Sequence, residues 1–183
     1  MSSGVEERLQ GYEELLRSWA SRLDLVAGSD LPRLRERHID DSLRLLPLLE
    51  ELPPGPCVDV GAGAGLPGIP LAIAAPDRRW VLLEPRQKRA GFLEEVVRAL
   101  DLNCEVLVQR AEEAAGDPRL RGRAALVTAR ALAPPDQAIT MCLPLACPGG
   151  AVAIFKGRDA ALPSGAEEWS DGIAIVRVRS TSP

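Results

Sequence analysis

Val58-Asp59-Val60-Gly61-Ala62-Gly63-Ala64-Gly65-Leu66-Pro67-Gly68 is the stretch that decides how the rest of the chain reads. Cys57-Val58-Asp59-Val60 is a short, mostly apolar run of strand type, and glycines follow it at once. Glycines at the carboxyl end of a buried first strand let the backbone approach a ligand closely. Downstream the same texture repeats. Trp80-Val81-Leu82-Leu83, 105–108, 124–128 and 151–155 read as strands, and 173–178 can add a last one. Between them lie a short helix over 70–75, a helix marked by Phe92, Leu93, Val96, Val97 and Leu100, and a helix over about 136–146. Strand alternating with helix predicts an α/β fold with a doubly wound, mostly parallel sheet.

Upstream of the glycine turn the period changes. Val5, Leu9, Tyr12, Leu16, Trp19 and Leu23 are spaced alternately by four and three, as on one face of an amphipathic helix. Asp30 is expected to cap a second helix with Pro32 in its first turn. A leucine-rich helix should run from about 38 to 50 and stop at Pro53-Pro54-Gly55-Pro56. The expected organisation is therefore an N-terminal helical cap over 1–56, too small to bury a core alone, and an α/β domain over 57–183.

Composition narrows the functional classes. An apolar share of 46% and a charged share of 26% suit a globular core and argue against disorder. Neither a membrane-spanning run nor a secretory leader is legible, so a cytoplasmic protein without membrane attachment is expected. The cysteines Cys57, Cys104, Cys142 and Cys147 form no CxxC pair and His38 is the only histidine, so no metal site is expected. With 22 basic and 26 acidic residues the net charge is −4, which speaks against coating naked nucleic acid non-specifically and leaves room for a local basic face.

The turn itself discriminates among nucleotide-type ligands. A P-loop needs GxxxxGK followed by Ser or Thr, and this turn holds no lysine or hydroxyl. A dinucleotide turn wants GxGxxG, but the third position counted from Gly61 is Leu66. The pattern is GxGxG with Asp59 two positions upstream. That suits S-adenosyl-L-methionine, which has no phosphate and carries an ammonium and a sulfonium. Glu84, ending the second strand, can accept bonds from both ribose hydroxyls. Asp59, Gly61, Gly63, Gly65 and Glu84 are the cofactor-binding candidates, on a Rossmann-like class I methyltransferase fold.

The stretch 58–73 also resembles the signature of the glucose-inhibited division protein B (RsmG) family, which methylates N7 of a guanine in 16S rRNA. Further matches follow in order: Arg37-His38 with Asp41-Ser42, Lys88-Arg89 with Phe92-Leu93, Arg110-Ala111-Glu112-Glu113, Arg130-Ala131, and Phe155-Lys156-Gly157. The resemblance implies cofactor contacts at Gly61 and Leu66, adenine-side contacts from Ala111 and Glu112, a further contact from Arg130, and Glu84 on the ribose. It implies 16S rRNA or the small ribosomal subunit as partner, and a monomer is expected. The chain departs from the family pattern in a short N-terminal arm, at Asp24-Leu25-Val26, at Pro85, and in a tail after Lys156 that is expected to lack the closing strand.

Guanine N7 offers a lone pair, so a transfer to it needs no general base; catalysis then rests on holding N7 in line with the departing sulfur. No catalytic acid or base is assigned. His38 reads as a capping or packing histidine before a catalytic one. Arg33, Arg35 and Arg37, and Arg119, Arg121 and Arg123, are even candidates for rRNA contacts or solvated faces. Two alternatives stay open: a methyltransferase acting on a small molecule or protein, and a non-catalytic relative that binds cofactor or RNA.

Overall fold

A computed structural model describes residues 3–180; the chain ends at 1–2 and 181–183, included in the two expected segments, lie outside the described residues. The core is a seven-stranded sheet in the order β3-β2-β1-β4-β5-β7-β6. Its strands are β1 (Cys57–Val60), β2 (Trp80–Leu83), β3 (Cys104–Leu107), β4 (Ala124–Arg130), β5 (Ala146–Phe155), β6 (Glu167–Ser170) and β7 (Ile173–Arg177). The first five run parallel, and β7 pairs antiparallel with both β5 and β6. The expected doubly wound, mostly parallel sheet is what the chain forms. Because β1 has β2 on one side and β4 on the other, the chain order reverses there, and a crevice opens beyond the strands' carboxyl ends.

Both faces of the central strands are covered, which is why they read as continuous apolar runs. Val58, Val60, Val81, Leu83, Val127 and Ile154 pack against α6 (Ala111–Gly116) and α7 (Pro135–Cys142). On the other face Leu82 joins Leu9, Tyr12 and Leu16 of α1 (Ser3–Leu23), Ile69 of α4 (Gly68–Ala74), and Phe92, Leu93 and Val96 of α5 (Gln87–Ala99). Leu45, Leu48 and Leu49, from α3 (Leu46–Glu51) and the residue before it, close the far corner over Cys57, Trp80 and Leu126. The N-terminal helices thus share their apolar faces with the sheet.

The structure corrects several sequence expectations. Asp30 caps no helix; it lies inside a 3₁₀ segment, Gly28–Arg33, without a side-chain cap bond. The expected helix over 38–50 is broken into a π-helical turn (Arg35–Asp40), the short α2 (Asp41–Leu43) and α3. The helix over 136–146 stops at Cys142, because Pro144 forces the 3₁₀ turn Leu143–Leu145. The tail does not lack its closing strand: β7 pairs five residues with β5, and β6 covers β7 in turn. Glu167 and Glu168 then stand on the outermost strand, and charge on an edge discourages pairing with another chain.

Candidate active site

Gly61, Gly63 and Gly65 have φ of +69°, +55° and +90°, in the left-handed region that only glycine adopts freely. Space is short as well: a Cβ on Gly65 would lie 2.5 Å from Ile69 Cγ1, and one on Gly61 would lie 2.8 Å from Leu132 Cδ1. The turn is held to its surroundings by Ala62 N–H donating to the Leu83 carbonyl at 2.9 Å and Gly65 N–H to the Ala62 carbonyl at 2.6 Å. From the cap, the Tyr12 hydroxyl donates to the Ala64 carbonyl at 2.7 Å.

Glu84 sits beside this turn at the end of β2. Its Oε2 accepts from Gly63 N–H at 2.9 Å and its Oε1 from Arg86 N–H at 2.8 Å. Each oxygen keeps a further lone pair for a ligand hydroxyl. Asp59 is placed differently. It is fully buried, with Oδ2 accepting from Gly68 N–H at 3.0 Å and Oδ1 accepting from the Thr128 hydroxyl at 2.8 Å. Burial pushes its carboxyl up to about 7, against the Thr128 and Gly68 bonds, which pull it down. Its bonds tie the start of α4 and strand β4 to β1. Leu66 is buried behind the turn. Ala111, also buried, begins α6 after β3, and Glu112 follows it exposed in the first turn, where a carboxylate suits the helix dipole.

Arg130 ends β4. Its Nη2 donates to Asp41 Oδ2, its Nη1 donates to His38 Nδ1 at 3.2 Å, and its guanidinium lies 4.2 Å over the Phe155 ring. Nε is buried without an acceptor among the described residues. The residue after it, Ala131, takes φ +52°, a strained value for a residue with a Cβ. Arg130, His38, Asp41, Phe155 and Lys156 line a cavity of about 750 Å³ beyond the ends of β4 and β5. This cavity lies beside the glycine turn, and neither Gly61, Gly63, Gly65 nor Glu84 lines it.

The expected arginine contacts separate. Arg33 and Arg37 stand half-exposed at the rim of the cavity, paired with Glu36 and Asp30. Arg35 points away, bridging Glu6 and Asp40. Arg119, Arg121 and Arg123 precede β4 and so lie at the opposite end of the sheet from Arg130, roughly 20 Å away at about 3.3 Å per residue. Sequence reasoning assigned no site role to Tyr12, Thr128 or Phe155. Tyr12 carried a signal: a tyrosine on an apolar helix face needs a partner for its hydroxyl.

Along the carboxyl edge the strand ends present, in sheet order, Gln109 and Ala111 after β3, Glu84 after β2, Gly61 after β1 and Arg130 as the last residue of β4. With strands about 4.8 Å apart, the row spans about 14 Å. The groups along that row are of the kinds an adenosyl-amino-acid ligand can use. Gln109 keeps a buried amide oxygen without a partner among the described residues, the turn offers backbone free of side chains, and Glu84 offers acceptors for a diol.

A family profile described as GidB, rRNA small subunit methyltransferase G, matches residues 5–168. A protein of Granulibacter bethesdensis named ribosomal RNA small subunit methyltransferase G is 43% identical over 171 residues, covering 92% of this chain and 77% of that relative. One of the same name from Acidiphilium cryptum is 40% identical, covering 88% and 73%. Among solved structures, a Corynebacterium glutamicum protein superposes with a TM-score of 0.66 at 14% identity, over 100% of this chain and 92% of that one. An RNA methyltransferase from Salinibacter ruber, in complex with S-adenosyl-L-homocysteine, gives 0.54 at 19%, over 79% and 92%. These structures share the class I methyltransferase fold. With the glycine turn, its neighbouring carboxylate and the arginine ending β4 all inside the matched span, the chain belongs to the rRNA small subunit methyltransferase G family.

Proposed function

We propose that this protein transfers a methyl group from S-adenosyl-L-methionine to N7 of a guanine in 16S rRNA, acting in the cytoplasm as a monomer on rRNA or the small ribosomal subunit. The observation that carries this reading is the contact between Glu84 and Gly63 at the switch point of the sheet, next to a cavity large enough for a base and walled by Arg130, His38 and Phe155. Glu84 would accept from the ribose hydroxyls, Ala111 and Glu112 would border the adenine, and Gly61, Gly63, Gly65 and Leu66 would form the floor. The donor supplies an electrophilic methyl on a sulfonium.

Asp59 then acts from beneath the floor, fixing the turn through Gly68 and Thr128 without touching the ligand. The Arg130 guanidinium, backed by the Phe155 ring, would offer a flat surface against which a base taken out of its stack can rest. Arg33, Arg37 and Arg158 are exposed at the rim, where phosphates of the flanking strand would pass. Each is already paired with an acid, so binding favours a shaped rRNA site over any polyanion. N7 is a nucleophile as it stands, so the protein contributes alignment and exclusion of water, with no proton to remove.

The test is transfer of labelled methyl to deproteinised 16S rRNA and to intact small subunits, followed by mass mapping of the modified base. A single guanine carrying an N7 methyl is expected. Label appearing on another atom, or only on small molecules or protein, would remove the assignment.

A further inference from the structure

We infer that His38 is a positioning residue, holding the Arg130 guanidinium at the mouth of the cavity through an imidazole that must stay neutral; the inference rests on the methyl-transfer reading above. The chemistry of the contacts settles the tautomer. Arginine only donates, so the 3.2 Å contact from Arg130 Nη1 requires a bare lone pair on His38 Nδ1. The proton of the neutral ring then sits on Nε2, which faces Asp30 Oδ2 at 3.1 Å and donates to it. The result is a chain, Asp30–His38–Arg130–Asp41, joining the 3₁₀ segment of the cap to the end of β4.

Unusual backbone occurs at both ends of the central contact. His38 lies in the π-helical turn Arg35–Asp40, and such turns concentrate at functional sites. Ala131, immediately after Arg130, carries the positive φ. A geometry held by two such features serves the position of the side chains between them. Protonating Nδ1 would set an imidazolium against a guanidinium and delete the acceptor. The His38 contact would then be lost, leaving Asp41 alone to hold the Arg130 guanidinium.

The charged groups around the ring come from several elements. Asp30 and, through it, Arg37 approach from the cap, Asp41 from α2, and Arg130 from β4. Deeper, Asp59 and Tyr12 face Arg130 electrostatically. Burial and the Arg130 charge depress the His38 pKa below its ordinary value, while Asp30 and Asp41 oppose the shift. Asp59, held up to about 7, is the competing source of any acid limb in activity.

His38 is the only histidine in the sequence, so imidazole ¹⁵N NMR on untagged protein reads it without assignment. A neutral Nε2–H ring at pH 7.5 and a titration midpoint below 6.5 are expected, with Arg130→Met raising the midpoint. A ring protonated on Nδ1 overturns the inference in the wild-type protein, whatever the turnover. In methylation assays on small subunits, His38→Ala should lower kcat/KM on the order of tenfold, the scale of one charge-assisted hydrogen bond. His38→Asn places an amide oxygen near Nδ1, so it should restore most of that loss and abolish the His38-dependent acid limb. An unchanged acid limb in His38→Asn assigns it to another group such as Asp59 and overturns the inference. Wild-type protein without turnover on rRNA or subunits, yet showing the expected ring signals, instead defeats the proposed function.

Discussion

Replacing Asp59 with asparagine separates two roles for the acid of the glycine turn, a charge offered to a ligand or a hydrogen-bonded tie within the fold. Burial holds the folded carboxyl up at about 7, whereas in the unfolded chain it ionises near ~3.9. Between those values the folded protein binds more protons than the unfolded one. The stability this group contributes is therefore complete below about pH 4 and is lost as the pH rises through about 7. At no more than about 1.4 kcal/mol per pH unit, and with the slope falling off near pH 7, wild type should lose about 2 kcal/mol between pH 5 and pH 7 from this group alone. Asparagine mimics the protonated form. Its Oδ1 can accept from Gly68 N–H, and its Nδ2 can donate to Thr128 Oγ1, which already points at the Val58 carbonyl at 3.5 Å. Urea denaturation of both proteins at pH 5, 6, 7 and 8 measures the difference directly. Asp59→Asn should gain about 3 kcal/mol on wild type across that range and then level off. A stability difference that stays constant with pH would refute a neutral, buried Asp59, and with it the claim that the acid works from beneath the site.

The other predictions concern the turn and its supports. Glu84→Gln should weaken S-adenosyl-L-homocysteine binding by about tenfold to a hundredfold, because charge-assisted bonds to hydroxyls are lost, and calorimetry giving an unchanged Kd removes the ribose role. Gly65→Ala should cost about 3 kcal/mol, combining the positive φ with a 2.5 Å approach to Ile69 and a 3.1 Å approach to Leu93. Gly91→Ala, on α5 with nothing within 4 Å of the new methyl, should instead raise Tm slightly, and a thermal melt of the pair compares them. Tyr12→Phe should lower stability by about 1–2 kcal/mol by leaving the Ala64 carbonyl without its buried donor; denaturant midpoints with and without cofactor show whether the loosened turn also binds less tightly.

How much of this was legible beforehand follows from where each signal lives. β1, β2 and β4 are covered on both faces, so their apolar runs announced them. The first part of β5 did not, because Pro148-Gly149-Gly150 reads as a turn. The structure carries the strand through it by a register shift opposite Ala124 and Leu126. β6, Glu-Glu-Trp-Ser, has no apolar alternation; pairing with β7 is what makes it a strand. The glycine turn and Glu84 were readable because each directly follows a strand that could be located. The His38–Arg130 and Tyr12–Ala64 contacts join residues 92 and 52 positions apart, and no local period connects them.

Those distant contacts also change what the N-terminal helices do. Tyr12 holds the glycine turn, the Asp24 carbonyl accepts from Arg89 at 3.0 Å beside Glu84 and Gly63, and Asp41 holds Arg130 at the end of β4. The tethers thus reach both the cofactor edge and the cavity. A disturbance of the cap that moves α1 must disturb the turn, and one that moves 30–41 must disturb Arg130. Net contributions of about 1 kcal/mol per hydrogen bond, somewhat more where a charge is involved, make such a linkage worth a few kcal/mol in total. The cofactor edge and the cavity therefore share the cap as a support, through α1 at the turn and through 30–41 at Arg130.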